Sequence, residues 1–283
     1  MSRRIRPKTR GILEMLLCAF LWSIAGLFIK LVNGNAFVIA GFRGLFAGLT
    51  TLTYMIIAKI PFKLNKKSIT TGIFMCILFI AFVTSNKLTT AANAIVLQFT
   101  TPLWLMLYNS IILKTKLKKN DTIAVLFSLI GITLCFLDKM EGGYLLGNIV
   151  AIFAGLMMGV MYVCLGTSNG EDRISGTLLG HLFTAIVGIP CLAFTENHLN
   201  STAFLCLIIL GVVQLGIPYI LLNFASQTCP PLACSLLGAV EPLFNPIWVA
   251  LFANEIPGIL AIIGCIIVIA SVTCWCISDI NKN

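Results

Sequence analysis

The chain has 283 residues, of which 59% are apolar and 10% are charged, and its mean hydropathy is +1.01. Soluble proteins average about 45–50% apolar and about 25% charged residues. The apolar runs recur from Leu13 to Ile277, which excludes a soluble domain held by a single anchor. The net charge of +9 comes from basic residues in short connecting segments, so membrane topology explains it better than nucleic-acid binding.

Ten apolar runs, each long enough for a helix, follow one another along the chain. A helix of about 20 residues spans the ~30 Å hydrocarbon core of a bilayer. The first run follows a basic leader, but it is longer than the roughly 7–15 residues of a signal-peptide core, and no small-residue cleavage site follows it. We therefore interpret it as the first retained span. The predicted spans are 11–31, 36–58, 68–85, 91–113, 121–137, 145–165, 174–194, 202–222, 231–252 and 258–277.

The distribution of lysine and arginine orients these spans. If the N-terminus is cytoplasmic, fifteen of the 19 basic residues fall in cytoplasmic segments. The outer segments then hold Lys30, Lys87 and Lys139, and Arg43 lies inside a span. Short cytoplasmic loops carry an excess of such residues. The sequence therefore predicts a multi-pass protein of the plasma membrane with both termini in the cytoplasm.

The two halves of the chain resemble each other weakly. A shift of 140 residues aligns the segment 97–103 with the segment 237–243, and both contain the pattern Leu-(x4)-Pro-Leu. Because each half holds an odd number of spans, the halves must lie inverted in the membrane, as in many secondary transporters. We expect an all-α integral membrane protein with ten transmembrane helices in two inverted five-helix repeats, residues 1–140 and 141–283.

Glu241 is the residue that most clearly points to a functional site. It lies in the middle of an apolar run, where an ionised side chain costs at least about 2.5 kcal/mol. Pro242 and Pro246 interrupt the same helix, which a membrane tolerates where neighbours or a cavity satisfy the freed carbonyls. A carboxyl group held away from water can bind and release a proton near neutral pH. At helical spacing, one face then carries Cys234, Gly238, Glu241, Asn245 and Trp248.

The matching helix of the first half presents an equivalent face. Gln98, Thr101 and Tyr108 share it, and Pro102 interrupts the helix at the depth of Pro242. These side chains either line a cavity with neutral polar groups or form hydrogen bonds between helices.

Other polar and aromatic residues inside the spans are further candidates. Arg43 lies about 10 Å along its helix, and it either extends outward, pairs inside the bundle or meets an anionic group of a substrate. His181 is either a packing residue or a proton relay. The remaining candidates for the substrate and proton site are Trp22, Met158, Tyr162, Gln214 and Tyr219, and Pro218 is a further predicted helix break.

The order of these motifs resembles the EamA-type ten-helix branch of the drug/metabolite transporter superfamily. The resemblance rests on Leu21-Trp22-Ser23, Arg43, the segment 87–104, Val240-Glu241-Pro242-Leu243-Phe244, Asn254-Glu255 and Gly264. It implies a central cavity between two repeats that carries small metabolites, amino acids among them. The first half departs from the family pattern, because a lysine-rich stretch at residues 114–118 stands where an acidic residue matching Glu255 is expected.

We expect a secondary transporter, acting by alternating access, for small metabolites such as amino acids or organic amines. We expect the protein to export its substrate and to couple this transport to protons. A channel or a non-transporting membrane scaffold is the alternative. The sequence shows no enzyme-like cluster, no metal-ligand spacing and no cofactor motif. The expected partners are the substrate, the lipid bilayer and protons, with no nucleic acid, and the protein is expected to be a monomer or a weak homodimer.

Overall fold

Helices form all the regular secondary structure in the part of the chain that the structure, a computed structural model, describes. That part comprises residues 7–116, 118–137, 144–244, 248 and 258–280, and it contains no strand. The helices of the first half are α1 Pro7–Trp22, α2 Ala25–Leu31, α3 Ala36–Ile57, α4 Lys66–Leu88, α5 Ala91–Gln98, α6 Thr101–Ile111 and α7 Lys119–Phe136. Those of the second half are α8 Leu145–Thr167, α9 Gly170–Gly188, α10 Ser201–Gly211, α11 Ile217–Ala225, α12 Pro231–Gly238 and α13 Ile259–Ile280.

Seven helical segments among the described residues are long and apolar enough to cross a membrane. They are Pro7–Leu31, Ala36–Ile57, Lys66–Leu88, Asn93–Ile111, Leu145–Thr167, Gly170–Ala193 and Ser201–Ala225. Helices also occupy the places of the other three predicted spans, at Lys119–Phe136, Pro231–Phe244 and Ile259–Ile280. The third span is longer than predicted, because a capping box at Asn65 and Ser68 starts α4 before the apolar run begins.

Asparagine and threonine side chains set the starts of several helices. Each accepts a hydrogen bond from a backbone N–H in the first turn, which satisfies a donor that has no partner within the helix. Such a cap contributes about 1 kcal/mol. The capping residues are Asn35, Asn65, Thr90, Asn169 and Asn200.

Helices at equivalent places in the two halves pack in equivalent ways. α3 crosses α9, and α7 packs along α13. α4 packs against α8 and α9, while α10 and α11 pack against α1, α2 and α3. Adding about 140 to the residue numbers of α4 gives the region of α10 and α11. Subtracting about 140 from those of α8 and α9 gives the regions of α1 with α2 and of α3, respectively. The packing of the bundle therefore repeats between the halves.

Glycines allow α3 and α9 to touch backbone to backbone. A Cβ added at Gly41 would lie 2.6 Å from the backbone nitrogen of Ile189, and one at Gly44 would lie 2.8 Å from the carbonyl oxygen of His181. One turn later, a Cβ at Gly48 would meet only side-chain atoms at ordinary contact distances, Leu182 at 3.4 Å and His181 at 3.5 Å. The glycine face of α3 thus packs inside the chain, where small residues let helices approach closely.

Basic side chains join helix ends in each half. Lys30 Nζ donates to the Thr89 carbonyl oxygen at 2.9 Å, and Lys87 Nζ donates to the Val32 carbonyl oxygen at 2.6 Å. In the second half, Arg173 is buried and donates to the carbonyl oxygens of Leu165 and Ser168, each at 2.7 Å, and of Asn223 at 3.2 Å. These bonds satisfy carbonyls that helix ends leave without intrahelical partners.

Candidate functional site

Two interrupted helices stand at equivalent places in the two halves. α5 ends at Gln98 and α6 begins at Thr101, with Pro102 in its first turn. α12 ends at Gly238, and helical residues resume at Glu241, which Pro242 follows. The predicted breaks therefore occur 140 residues apart. Pro218 also marks an interruption, because a π-helical turn, Val212–Gly216, comes just before α11. Pro246 lies outside the described residues.

A narrow cavity of about 30 Å³ lies where these helices meet α1, α3, α4 and α8. That volume suits about two water molecules, since a water needs roughly 10–15 Å³ of such space. The cavity draws residues from both halves of the chain. Its lining residues are Trp22, Arg43, Leu78, Phe79, Phe82, Gln98, Met158, Gln214, Tyr219 and Glu241.

Arg43 and Glu241 bring opposite charges to this cavity. Arg43 is 3% exposed on α3, and Glu241 is 8% exposed just after the break that follows α12. In the described part of the chain, the ion pairs within 4.0 Å are Arg10–Glu14 and Lys63–Glu171, so Arg43 and Glu241 share a cavity without direct contact. The Arg43 guanidinium carbon lies 5.4 Å from the centre of the Phe82 ring. A guanidinium gains a favourable interaction with the face of such a ring.

Several buried polar atoms around the cavity have no hydrogen-bond partner. They include Nε and Nη1 of Arg43, Nε1 of Trp22 and Oε1 of Gln214. The amide nitrogen of Gln214 lies 3.5 Å from the Trp22 carbonyl oxygen, at the limit of a hydrogen bond. Buried polar groups are nearly always satisfied in folded proteins. A cluster of unsatisfied ones facing one cavity is typical of a site that binds a polar ligand.

Aromatic rings form the remaining wall of the cavity. The Trp22 and Tyr219 rings lie 5.5 Å apart, and the Phe79 and Tyr219 rings meet edge to face at 5.0 Å. Met158 faces them and accepts a weak hydrogen bond from Gln98 Nε2 at 3.2 Å. The site thus combines two charges and two amides with an apolar, aromatic surround.

His181 and Tyr162 lie next to the cavity but do not line it. His181 stacks on Phe79 at 5.3 Å, its Nδ1 lies 3.2 Å from the Thr51 hydroxyl oxygen, and its buried Nε2 has no partner. Tyr162 is 1% exposed and its hydroxyl group has no partner. A Cβ added at Gly238 would lie 3.4 Å from that hydroxyl oxygen, which places Tyr162 beside the break after α12.

The structure places the other predicted site residues elsewhere. Thr101 is buried between helices, where its hydroxyl donates to the carbonyl oxygens of Gln98 and Gly155. Tyr108 lines a separate, mostly apolar groove with Trp104. The turn at residues 99–100 changes the helical phase, so the face predicted from Gln98 through Tyr108 is not continuous.

Trp248 contacts the first helix rather than the cavity. Its Nε1 donates to the Ser23 hydroxyl oxygen at 2.8 Å, and its ring lies 5.8 Å from that of Phe20. Ser23 lies in the short break between α1 and α2, which the sequence did not indicate. Asn245, also a predicted site residue, lies outside the described residues.

Sequence reasoning missed the residues that α4 contributes to the cavity. Leu78, Phe79 and Phe82 lie on one face at helical spacing, within the run 72–83, which contains no polar side chain. No polar neighbour in that run therefore distinguishes these three residues in the sequence. In the described part of the chain, no group of three or more histidine, cysteine, aspartate or glutamate residues is placed to hold a metal ion.

Comparison with known proteins identifies the family. The model of the EamA-like transporter family matches the chain twice, at residues 9–137 and 145–275. A solved structure titled only "Crystal structure of protein" has a TM-score of 0.79 to this chain at 15% sequence identity, over 94% of this chain and 96% of the other. That likeness establishes a shared fold. No curated protein matches the chain.

The two family matches together cover most of the chain, one in each half, and each includes one of the two interrupted helices. Both also contain helices that are long and apolar enough to span a bilayer. The protein is therefore a multi-pass membrane protein, and it belongs to the EamA-like transporter family.

Proposed function

We propose that the protein is a secondary transporter that exports small metabolites, such as amino acids or organic amines, across the plasma membrane by alternating access. The observation that carries this proposal is the meeting of Arg43 and Glu241 at one cavity between two similarly packed halves. Ionisable groups inside a membrane are expensive, and they are retained where they act on a substrate or ion. A non-transporting scaffold would leave these two charges without a role, and a channel typically lines its pore with rings of like charge rather than with one charge of each sign.

The proposed topology has ten membrane helices in two inverted repeats, residues 1–140 and 141–283, with both termini cytoplasmic. Helices at the places of all ten predicted spans support it, as do the equivalent packing of the halves and the excess of basic residues in the predicted cytoplasmic segments. An odd number of spans in each half inverts the second half relative to the first.

Alternating access explains the small volume of the cavity. A space of about 30 Å³ admits water but not a metabolite. The halves must therefore move apart on one side of the membrane to admit a substrate and on the other side to release it. The glycine contacts between α3 and α9 provide a close crossing about which the halves can rock.

Glu241 is the group that we propose couples this movement to protons. Glu241 is buried beside a cavity large enough for water, and a carboxyl group there can carry either a proton or a charge. A positive substrate group, or Arg43 moving closer, favours the charged form and releases the proton. Each transport cycle then exchanges substrate for a proton.

Glu241→Gln tests the coupling in purified protein reconstituted into liposomes. The probes are the twenty common amino acids and a set of primary amines, each tested with and without a pH gradient. We expect the wild type to concentrate at least one probe when the gradient is applied. The variant should equilibrate the same probe without concentrating it, because glutamine keeps the shape of the neutral acid.

Glu196→Gln is the matched control, because Glu196 is exposed and lies in the segment between α9 and α10. It should concentrate the probe as the wild type does. If Glu241→Gln also concentrates the probe fully, Glu241 is structural and the coupling proposal is wrong. If the wild type moves probes only down their gradients at channel-like rates, or moves none, the channel or scaffold alternative replaces the transporter.

A further inference from the structure

We infer that the substrate is a zwitterion whose carboxylate binds Arg43 and whose ammonium group binds Glu241. This inference rests on the proposed function and narrows its substrate class. Amines without a carboxylate and acids without an amine are then poor substrates, although each matches one half of the site.

The state of Arg43 indicates a carboxylate ligand. A guanidinium carries paired N–H donors that fit the two oxygens of a carboxylate. Arg43 keeps Nε and Nη1 without partners although only 3% of the residue is exposed. It is the single cation among the described residues that line the cavity, and Glu241 lines the same space. A doubly charged phosphate would therefore lack the second cation that it needs.

The state of Glu241 indicates a cationic group at the other end of the ligand. No ion pair within 4.0 Å joins it to Arg43 in the described part of the chain. The rings of Trp22 and Tyr219 line the same cavity, and aromatic faces favour ammonium groups. The two side chains thus present opposite charges that a bridging ligand can satisfy together.

Charge balance distinguishes a zwitterion from an amine without a carboxylate and from an acid without an amine. Once a cationic group has released the Glu241 proton, Arg43 and Glu241 sum to zero, and a zwitterion adds no net charge, so the loaded site is neutral inside the membrane. An amine alone ionises Glu241 but leaves Arg43 without a counter-charge, whereas an acid alone pairs with Arg43 but leaves Glu241 protonated and without an ion pair. An uncompensated buried charge is strongly unfavourable.

The neutral polar groups of the cavity complete the match. Trp22 Nε1 is an unpartnered donor and suits the carboxylate, whereas Gln214 Oε1 is an unpartnered acceptor and suits the ammonium group. Among the described lining residues, these buried atoms without partners, together with Nε and Nη1 of Arg43, each match a complementary group on a zwitterion. Arg43 belongs to the first half and Glu241 to the second, so the ligand also bridges the two halves.

Matched probes test the inference by binding to the purified full-length protein in detergent. One set is leucine, 3-methylbutylamine and 4-methylpentanoate, and the other is phenylalanine, 2-phenylethylamine and 3-phenylpropanoate. Each set keeps one side chain and removes one charged group at a time. In at least one set, the zwitterion should bind about ten- to a hundredfold more tightly than the amine or the acid, because each lost partner removes a charged hydrogen bond.

Variants assign each end of the ligand. Arg43→Gln should bring the affinity of the amino acid down to that of the amine, and Glu241→Gln should bring it down to that of the acid. Arg43→Lys keeps the charge but loses the paired donors, and it provides a second measurement if Arg43→Gln does not fold. Arg10→Gln, at an exposed arginine, is the control and should change nothing.

The results separate this inference from the proposed function. If in every set the amine binds or is transported as well as the amino acid, the inference is wrong while the transporter proposal stands. The same holds if Arg43→Gln and Arg43→Lys both leave the preference for the carboxylate unchanged. If no zwitterion in the two sets binds more tightly than its amine and its acid, the inference is also wrong, whatever the liposome assay shows.

Discussion

The crossing of α3 and α9 makes a sharp prediction about two neighbouring glycines. Gly44→Ala introduces a Cβ 2.8 Å from the His181 carbonyl oxygen and 3.2 Å from the Ala185 nitrogen. Both are backbone atoms and cannot rotate away. To reach an ordinary contact of 3.4 Å, the backbones must separate by about 0.6 Å, which is 3.4 minus 2.8. Gly48→Ala, one turn later, meets no backbone atom and makes only ordinary side-chain contacts, with Leu182 at 3.4 Å and His181 at 3.5 Å.

The expected magnitudes follow from two opposing effects. Replacing a mid-helix glycine by alanine favours the helix by about 0.5–1 kcal/mol. Overpacking a close contact costs about 1–3 kcal/mol. Gly44→Ala should therefore lower the free energy of unfolding by up to about 2.5 kcal/mol. Gly48→Ala should leave it unchanged or raise it by up to about 1 kcal/mol.

Unfolding by sodium dodecyl sulfate in mixed micelles, followed by circular dichroism, measures both variants beside the wild type. Gly170→Ala provides a further control, because a Cβ there has no neighbour within 4 Å. If Gly44→Ala is as stable as Gly48→Ala, the two backbones do not touch as described. The close crossing between the halves would then be refuted.

Two further predictions concern the helix ends that Arg173 joins and the topology. Arg173→Gln should lower the free energy of unfolding by at least about 2 kcal/mol, the value of one charged hydrogen bond. Arg10→Gln is the control and should leave it unchanged. Equal stability of the two variants would contradict the bonds from Arg173 to three carbonyl oxygens. In a cysteine-depleted background, a thiol reagent that cannot cross the membrane should label Glu196→Cys in intact cells but not Lys67→Cys. The reverse labelling would overturn the proposed orientation.

Most of the helical layout was predictable because the lengths of the apolar runs and the positions of the prolines can be read directly from the sequence. Pro102 and Pro242 each lie in the first helical turn after an interruption, and proline is visible in a sequence as a residue that removes a backbone donor and clashes with the preceding turn. The break at Ser23 between α1 and α2 has no such mark in the sequence. The π-helical form of the turn before Pro218 was likewise not predictable, because it depends on how neighbouring helices pack.

The cavity was predictable where its residues are polar. Glu241, Arg43, Gln98 and Gln214 stand out against apolar surroundings, and the structure brings all four to one cavity. One continuous helix predicts that Thr101 and Tyr108 share the face of Gln98. The turn at residues 99–100 interrupts that helix, so the three residues do not share one face. Apolar wall residues such as Phe79 carry no signal of their own, because only the three-dimensional packing of α4 selects which ring meets the cavity.

The separation of Arg43 and Glu241 along the chain has a consequence for biogenesis. They lie 198 residues apart (241 minus 43), so the ribosome delivers the arginine long before its counter-charge exists. Inserting a lone arginine at the centre of a helix costs at least about 2.5 kcal/mol, which the apolar residues of α3 must offset at that moment. The electrostatic core of the protein is thus completed late in synthesis. A nascent chain that stops before α12 keeps an unbalanced arginine among its helices.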